Sequence, residues 1–313
     1  MKIYRHLDKS NYDKKSIVTV GTFDGVHRGH RVVIDKLQEL KNKFGGRTVI
    51  VTFDPHPRLV LRNRANEIKL LSTTHERLEV FEQLGVDVVY VLKFTTEFSE
   101  HSAEDFLKMY LVEGIGLEHL VLGFDHSFGK NREGNYESLE KLTGKYNFDL
   151  YKVEELKGES RINSTTIRNL LSEGNLSKAK EILGADYTFE GKIVTGDRRG
   201  STIGFPTANV HLSDEHKLLP KNGVYFVKVV LEQGEFYGMM NIGYRPTVSS
   251  GKDIYIEVNI FDFEKDIYGQ KIKVVLKDYI RDEKKFNSLD DLVKQLNKDK
   301  EDCKKHLINN LIH

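Results

Sequence analysis

A single cysteine, Cys303, in 313 residues leaves no partner for an intrachain disulfide. A disulfide-stapled secreted scaffold is therefore excluded, and a reducing compartment fits. Cys303 stands in a charged C-terminal stretch and reads as a non-catalytic thiol. An excess of charge of one sign is also missing. Lys and Arg number 48 against 47 Asp and Glu, a net charge of +1. Such a balance supplies no overall field to hold DNA or a membrane, so any nucleotide binding must be local. Long hydrophobic runs are absent too. No stretch approaches the roughly 20 apolar residues of a membrane span. The opening residues Met1–Leu7 lack the apolar core of a signal peptide. These absences leave a cytoplasmic protein with small-molecule partners, no nucleic acid and no membrane. Oligomeric state is not readable. What is present is ordinary soluble composition, 39% hydrophobic and 30% charged, at a length suited to one large or two medium domains.

The first half alternates strand-like and helix-like segments. Apolar runs at Ser16–Val20, Thr48–Phe53, Val86–Leu92 and His119–Gly123 predict strands. Helical spacing of Val32, Val33, Leu37 and Leu40 predicts a helix over Gly29–Phe44, ended by Gly45 and Gly46. Further helices are expected over Thr74–Leu84, capped by Thr74 or Ser72, over Ala103–Leu111, and over Thr165–Leu183. This alternation argues for a parallel sheet covered on both faces, with ligands at the carboxyl ends of its strands. Near Ala185 the pattern changes. Phe189–Val194, Gly223–Leu231, Phe236–Ile242 and Asp253–Phe261 read as closely spaced strands without intervening helices, an antiparallel barrel or sandwich. Ser288–Leu311 closes the chain as an amphipathic helix with Leu289, Leu292, Leu296, Leu307 and Leu311 apolar. Two domains result, 1–184 and 185–313.

The stretch from Val18 to His30 joins an apolar strand to a helix start and holds Gly21, Gly25, Gly29, His27 and His30. Glycines permit a tight turn and close approach of backbone amides to a ligand. A helix start offers unpaired N–H groups and a positive dipole end, an arrangement suited to phosphate. His27 and His30 fall on neighbouring positions of the first turn, and each imidazole can donate to a phosphoryl oxygen, more strongly if protonated. A zinc pair and a purely structural turn are the alternatives, but no further ligand cluster stands nearby, and a structural turn would not need two histidines. Ser164 and Thr165 precede a helix and suit a plain cap or a phosphate contact.

In the second half, Gly196, Asp197, Arg198, Arg199, Gly200 and Gly204 make a loop able to wrap phosphates through its amides, or an ordinary polar turn. Thr207 and Asn209, two apart, share a face when extended and offer oxygen ligands to Mg²⁺. In Asp253–Phe261, Ile254, Ile256, Val258 and Ile260 alternate with Tyr255, Glu257, Asn259 and Phe261. Glu257 is either a solvent-facing glutamate or, desolvated between aromatics, a general base.

At this point a family is visible. Gly21–His30 resembles the HxGH signature of nucleotidyltransferases, in the longer form found in the bifunctional riboflavin kinase/FAD synthetases of bacteria. Val51–Pro57, Val121–Gly129 with Arg132 and Gly134, and Arg161–Arg168 are similar to three further segments of that family. Thr22 stands where the family commonly has Asn, and Asn163 where it has Ser, both small polar replacements. Gly204–Asn209 looks like the PTAN motif of riboflavin kinases. Leu219–Tyr225, Asn241–Thr247, Glu257 through Gly269 and Arg281–Phe286 follow in the same order. The resemblance implies a Rossmann-like α/β FMN adenylyltransferase domain followed by an all-β six-stranded riboflavin kinase barrel with a C-terminal helix. It implies ATP contacts at Gly21, Phe23, Asp24, Gly25, Gly29, Ser164, Thr165, Gly196, Arg198, Gly200, Gly204 and Pro206. Flavin contacts fall at Asp54, His56, Asp125, Phe128, Arg132 and Arg281. Thr207 and Asn209 take the metal. His27, His30 and Arg168 serve adenylyl transfer, and Glu257 acts on the ribityl 5′-hydroxyl. ATP, riboflavin, FMN and FAD are the substrates and products implied, with Mg²⁺ as cofactor.

Overall fold

In the first half, neighbouring strand residues divide between two apolar layers. Ile17, Ile50, Val89 and Val121 pack with Ile34, Leu37, Leu40 and Phe81 on one face. Val18, Val49, Val51 and Tyr90 pack with Phe106, Leu107, Leu111 and Ile115 on the other. A strand buried on both faces is the hallmark of a parallel sheet under helices. The computed structural model describes residues 1–61, 68–124, 126–156, 162–196, 200, 203–246 and 252–312. By packing, the chain divides into Met1–Ser164 and Thr165–His313.

The first unit holds six strands: β1 Lys2–Tyr4, β2 Ser16–Val20, β3 Arg47–Asp54, β4 Val88–Lys93, β5 Leu117–Leu122 and β6 Asp149–Lys152. They form one sheet in the order β1-β4-β3-β2-β5-β6, every pair parallel. The order turns back at β2, which lies between β3 and β5. A crevice opens at the carboxyl end of such a switch point. The helix Arg28–Phe44 buries Val33, Ile34, Leu37 and Leu40 and ends at Gly45, whose φ of 77° a side chain would oppose.

Several expectations change in detail. The helix Thr74–Gln83 is capped by Thr73, not Thr74 or Ser72, and Glu76 completes a capping box with it. The helix starting at Ala103 continues past Leu111 as a π-helix over Leu107–Ile115. The stretch Thr165–Leu183 is two helices, Ser164–Ser172 and Leu176–Leu183. Gly174 at φ 79° breaks it, and Asn175 caps the second helix by accepting from the Lys178 N–H at 3.2 Å.

Asp87, just before β4, ties the sheet to the Arg28–Phe44 helix. Its carboxylate accepts from Lys41 Nζ at 2.7 Å and from the Thr48 N–H at 2.9 Å. Burial alone would raise its proton affinity, but Lys41 and Thr48 outweigh burial and hold it below the usual aspartate value. A carboxylate so lowered stabilises the fold above its unfolded-state value and loses that contribution as the pH falls through the folded one. Asp87→Asn is therefore expected to lower urea resistance near neutral pH. Its gap to wild type should narrow toward about pH 3, measured by urea titration at stepped pH.

The second unit contains β7 Thr188–Val194, β8 Ala208–Leu212, β9 Gly223–Leu231, β10 Gly234–Pro246, β11 Lys252–Ile260 and β12 Lys271–Arg281. They close into a six-stranded barrel in the order β10-β11-β8-β7-β12-β9. Every pairing is antiparallel. Closure leaves no free sheet edge. The C-terminal helix Leu289–Ile312 packs by Val293, Leu296, Cys303 and Leu307 against Phe226, Met239 and Phe261. The Leu311 side chain lies outside the described residues.

Candidate active sites

The turn from β2 into the Arg28–Phe44 helix is conformationally unusual. Phe23, Gly25 and Val26 have φ of 50°, 86° and 40°. Left-handed backbone at a non-glycine residue persists only where its surroundings over-determine it. Here they do. Asp24 is buried and accepts from the Ser72 N–H at 3.0 Å. Ser72 Oγ accepts from the Gly25 N–H at 2.8 Å, and Ser164 Oγ donates to the Asp24 carbonyl at 3.0 Å. Buried Arg77 donates to the Thr22 carbonyl at 3.0 Å, and Phe23 meets Phe81 edge-on at 5.5 Å.

The turn delivers two imidazoles. His27 is the helix N-cap, although its side chain does not cap the helix. Its ring stacks on that of His30, centroids 3.7 Å apart. A Cβ on Gly29 would stand 3.3 Å from the His27 ring, so glycine there lets the ring lie close to the helix. Burial, with His27, His126 and Arg77 nearby, holds His30 well below the ordinary imidazole range. The site at rest is thus not the doubly protonated pair that an anion would favour.

A cleft of about 240 Å³ lies at the carboxyl ends of β2, β5 and β6. His27, His30, Gly21, Phe23 and Gly29 line it. So do Phe124 and His126 after β5, and Glu154 and Glu155 after β6. Asp24 and Gly25 build the turn behind this wall. Thr165, exposed, and Arg168, half-buried, lie on the helix Ser164–Ser172. The residues expected to meet flavin are elsewhere in the unit. Asp54 faces Arg5 at 4.0 Å. Buried His56 accepts the Arg58 N–H at its Nδ1, 3.1 Å away. Phe128 packs against Phe106 with centroids 5.2 Å apart, and Arg132 Nε donates to Ser127 Oγ at 2.8 Å. None of these four is among the residues lining the cleft. Asp125 and Arg198 lie outside the described residues.

In the barrel, strand pairing places Glu257 of β11 between Asn209 of β8 and Asn241 of β10. Thr207, Asn209, Asn241 and Glu257 line a cavity of about 850 Å³. Leu289, Leu292 and Leu296 of the C-terminal helix form an apolar wall. Leu289 is 60% exposed because it faces this opening and not the core. Glu257 is half-buried here. Tyr255 Oη accepts from Asn241 Nδ2 at 3.1 Å and donates to Glu283 Oε1 at 2.7 Å. Burial and the nearby Glu283 carboxylate push its phenol up to about 12. Asn259 Nδ2 donates to the Pro206 carbonyl at 2.7 Å, which fixes the strand entering Thr207.

Two glycines make room for the oxygen-bearing pair. A Cβ on Gly200 would stand 2.2 Å from the Phe205 carbonyl oxygen, and one on Gly196 would stand 2.0 Å from Asn209 Nδ2. Gly204, at φ 80°, turns the chain just before Phe205. Arg281 also reaches the cavity, but its guanidinium is engaged. It donates from Nε and Nη2 to the buried Asp299 carboxylate at 2.8 and 2.6 Å, joining β12 to the C-terminal helix.

A doubly covered parallel sheet with a cleft at its switch point, followed by a closed barrel with a polar-lined cavity, defines a two-module enzyme. Matches to protein families sharpen that class. An FAD synthetase model matches residues 9–166 and a riboflavin kinase model matches residues 183–307. A curated bifunctional riboflavin kinase/FMN adenylyltransferase from Listeria monocytogenes is 40% identical, over 93% of this chain and 92% of that one. One of the same description from Bacillus subtilis is 37% identical, over 97% and 96%. A solved Streptococcus pneumoniae structure, described as a macrolide-efflux protein, aligns with a TM-score of 0.87 at 32% identity, covering 96% of this chain and 98% of that one. That description is of the other protein. Among the described residues here no helix is long and apolar enough to cross a membrane. The chain belongs to the bifunctional riboflavin kinase/FMN adenylyltransferase family. Enzymes of this kind use ATP and typically a divalent metal.

Proposed function

We propose that the barrel cavity phosphorylates riboflavin and that the α/β cleft adenylylates the resulting FMN, with 185–313 and 1–184 as the respective modules. The convergence of Thr207, Asn209 and Glu257 on one cavity carries the reading. Phosphorylating an alcohol needs a base, because the 5′-hydroxyl of the ribityl chain is neutral. Glu257 takes that proton as the oxygen attacks the γ-phosphorus of ATP, and ADP leaves. The apolar wall of Leu289, Leu292 and Leu296 suits a flat aromatic ring system. Thr207 and Asn209 offer neutral oxygens beside a carboxylate, a donor set that fits a hard cation such as Mg²⁺. When bound, the ion offsets the negative charge of the triphosphate.

Adenylylation is different chemistry. A phosphate oxygen of FMN attacks the α-phosphorus of ATP, and the bond to pyrophosphate breaks. The nucleophile is already anionic, so no base is needed. The task is to hold two anions together and stabilise the leaving charge. His27 and His30 donate to the phosphates for that purpose. A cytoplasmic setting, where thiols stay reduced, suits the buried Cys303.

Incubation with riboflavin and Mg-ATP, followed by chromatography, tests the whole reading. FAD is the expected product. FMN alone, or unchanged riboflavin, would refute the two-step assignment. Gly196→Ala tests the placement of Asn209. The added methyl displaces the Asn209 carboxamide, so the KM for ATP in FMN formation is expected to rise about tenfold or more, while supplied FMN still becomes FAD at the wild-type rate.

A further inference from the structure

We propose that Glu283, Tyr255 and Asn241 form a relay that holds the Asn241 carboxamide oxygen ready for a secondary hydroxyl of the ribityl chain, so that the barrel selects a polyhydroxylated flavin side chain. This rests on the reading of the barrel cavity as the riboflavin kinase site. All three residues line it. The relay begins at Glu283, just beyond β12. An ionised carboxylate can only accept, so the single phenol proton of Tyr255 goes to Glu283 Oε1 at 2.7 Å. With its phenol pushed up to about 12, Tyr255 keeps that proton at neutral pH. Its oxygen is then left to accept, and Asn241 must present its amide nitrogen, Nδ2, 3.1 Å away. The carboxamide is thereby fixed with Oδ1 as its open end. Oδ1 is buried and accepts no hydrogen bond among the described residues. Buried acceptors of this kind are normally satisfied, by ligand if not by protein.

The strands make room for this relay. Register puts Tyr255 of β11 opposite Gly243 of β10. A Cβ on Gly243 would stand 2.3 Å from Glu283 Oε1 and 2.5 Å from Tyr255 Oη, so glycine there lets the pair meet across β10. Two residues earlier on β10, Asn241 stands opposite Glu257. Directly paired residues share a face, with Cβ atoms about 4.5–5.5 Å apart. Asn241 is therefore beside the base that takes the 5′-hydroxyl proton. What it meets belongs to the reacting end of the flavin, since Leu289, Leu292 and Leu296 give the ring its apolar wall. At that end the donors that riboflavin offers, besides the reacting hydroxyl, are the secondary hydroxyls of the ribityl chain. A site built to hydrogen-bond a substrate hydroxyl rejects the analogue lacking it, because its own polar group is then left unpaired.

The probe is a flavin with a 5-hydroxypentyl chain at N10, which keeps the ring and the reacting hydroxyl but lacks the secondary ones. For the full chain, kcat/KM with Mg-ATP is measured for this flavin and for riboflavin. Calorimetric titration with the two flavins reads the same preference without turnover, and any flavin taken up by the α/β cleft contributes equally to wild type and variant. Wild type is expected to prefer riboflavin by about tenfold or more. Tyr255→Phe frees the carboxamide to turn, so the preference should shrink about 3- to 10-fold, through riboflavin alone. Gly243→Ala displaces the relay without removing any of its groups and should shrink the preference as well. A residue that merely held the barrel together would depress both flavins equally and leave their ratio intact. An unchanged ratio in Tyr255→Phe, or a wild type indifferent to the secondary hydroxyls, overturns the proposal. If wild type phosphorylates neither flavin, the kinase reading beneath it is what fails.

Discussion

His27→Ala combined with His30→Ala is expected to reduce FAD formation from supplied FMN by at least about 10²–10³-fold while FMN formation from riboflavin continues near its wild-type rate. Removing one preorganised donor to developing charge costs about that much by itself. Here both rings leave together, and they are stacked at 3.7 Å on one wall of the cleft. The substitutions should not unfold the turn, because what holds it lies behind the rings. Asp24 is fastened by Ser72 and Ser164, Gly25 by Ser72, and the Thr22 carbonyl by Arg77. Steady-state assays with riboflavin and with FMN as separate substrates check the outcome. A matched loss of both activities in a folded double variant would show that the cleft does not work alone, and the division of labour would fall.

The same turn shows why one part of the cleft was readable in the sequence and another was not. Gly21, Gly29, His27 and His30 announce themselves because glycine and histidine at a strand-to-helix junction are chemically conspicuous. Phe124, Glu154 and Glu155 carry no such mark. The glutamates stand beyond β6, a four-residue strand at the sheet edge with a partly exposed sequence that shows no buried run. Once that strand is known, the rule that ligands gather at strand ends points to them. The barrel repeats the lesson. β12 escapes a period-two reading because register shifts at Leu276/Asp278 and Tyr279/Arg281 interrupt its alternation. By contrast β11 shows its alternation in the middle, where Ile256 is buried and Glu257 lines the cavity, but not at its ends: Ile254 is exposed, and Asn259 is buried beside Val258 and Ile260. The engagement of Arg281 by Asp299 was invisible, because the two are brought together only by docking of the C-terminal helix.

Glu257→Gln separates the second site from the first in the opposite direction. The substitution keeps the shape and the β11 pairing with Asn209 and Asn241, since those pairs are made by backbone. It removes only the capacity to accept a proton. A positioned general base contributes about 10²–10⁴-fold, so kcat for FMN formation is expected to fall by that factor with little change in the KM for riboflavin. The split matters. A glutamate that merely bound the ribityl chain would raise KM and leave kcat largely intact. One that held the strand in place would lower stability and disturb Thr207 and Asn209 along with it. The adenylyl step has no use for a base, because its nucleophile arrives already charged. Supplied FMN should therefore become FAD at the wild-type rate in Glu257→Gln. Product ratios after a single incubation with riboflavin report this directly: the variant should make little FMN but convert nearly all of what it makes. Accumulation of FMN instead would place the lost proton transfer in the wrong reaction.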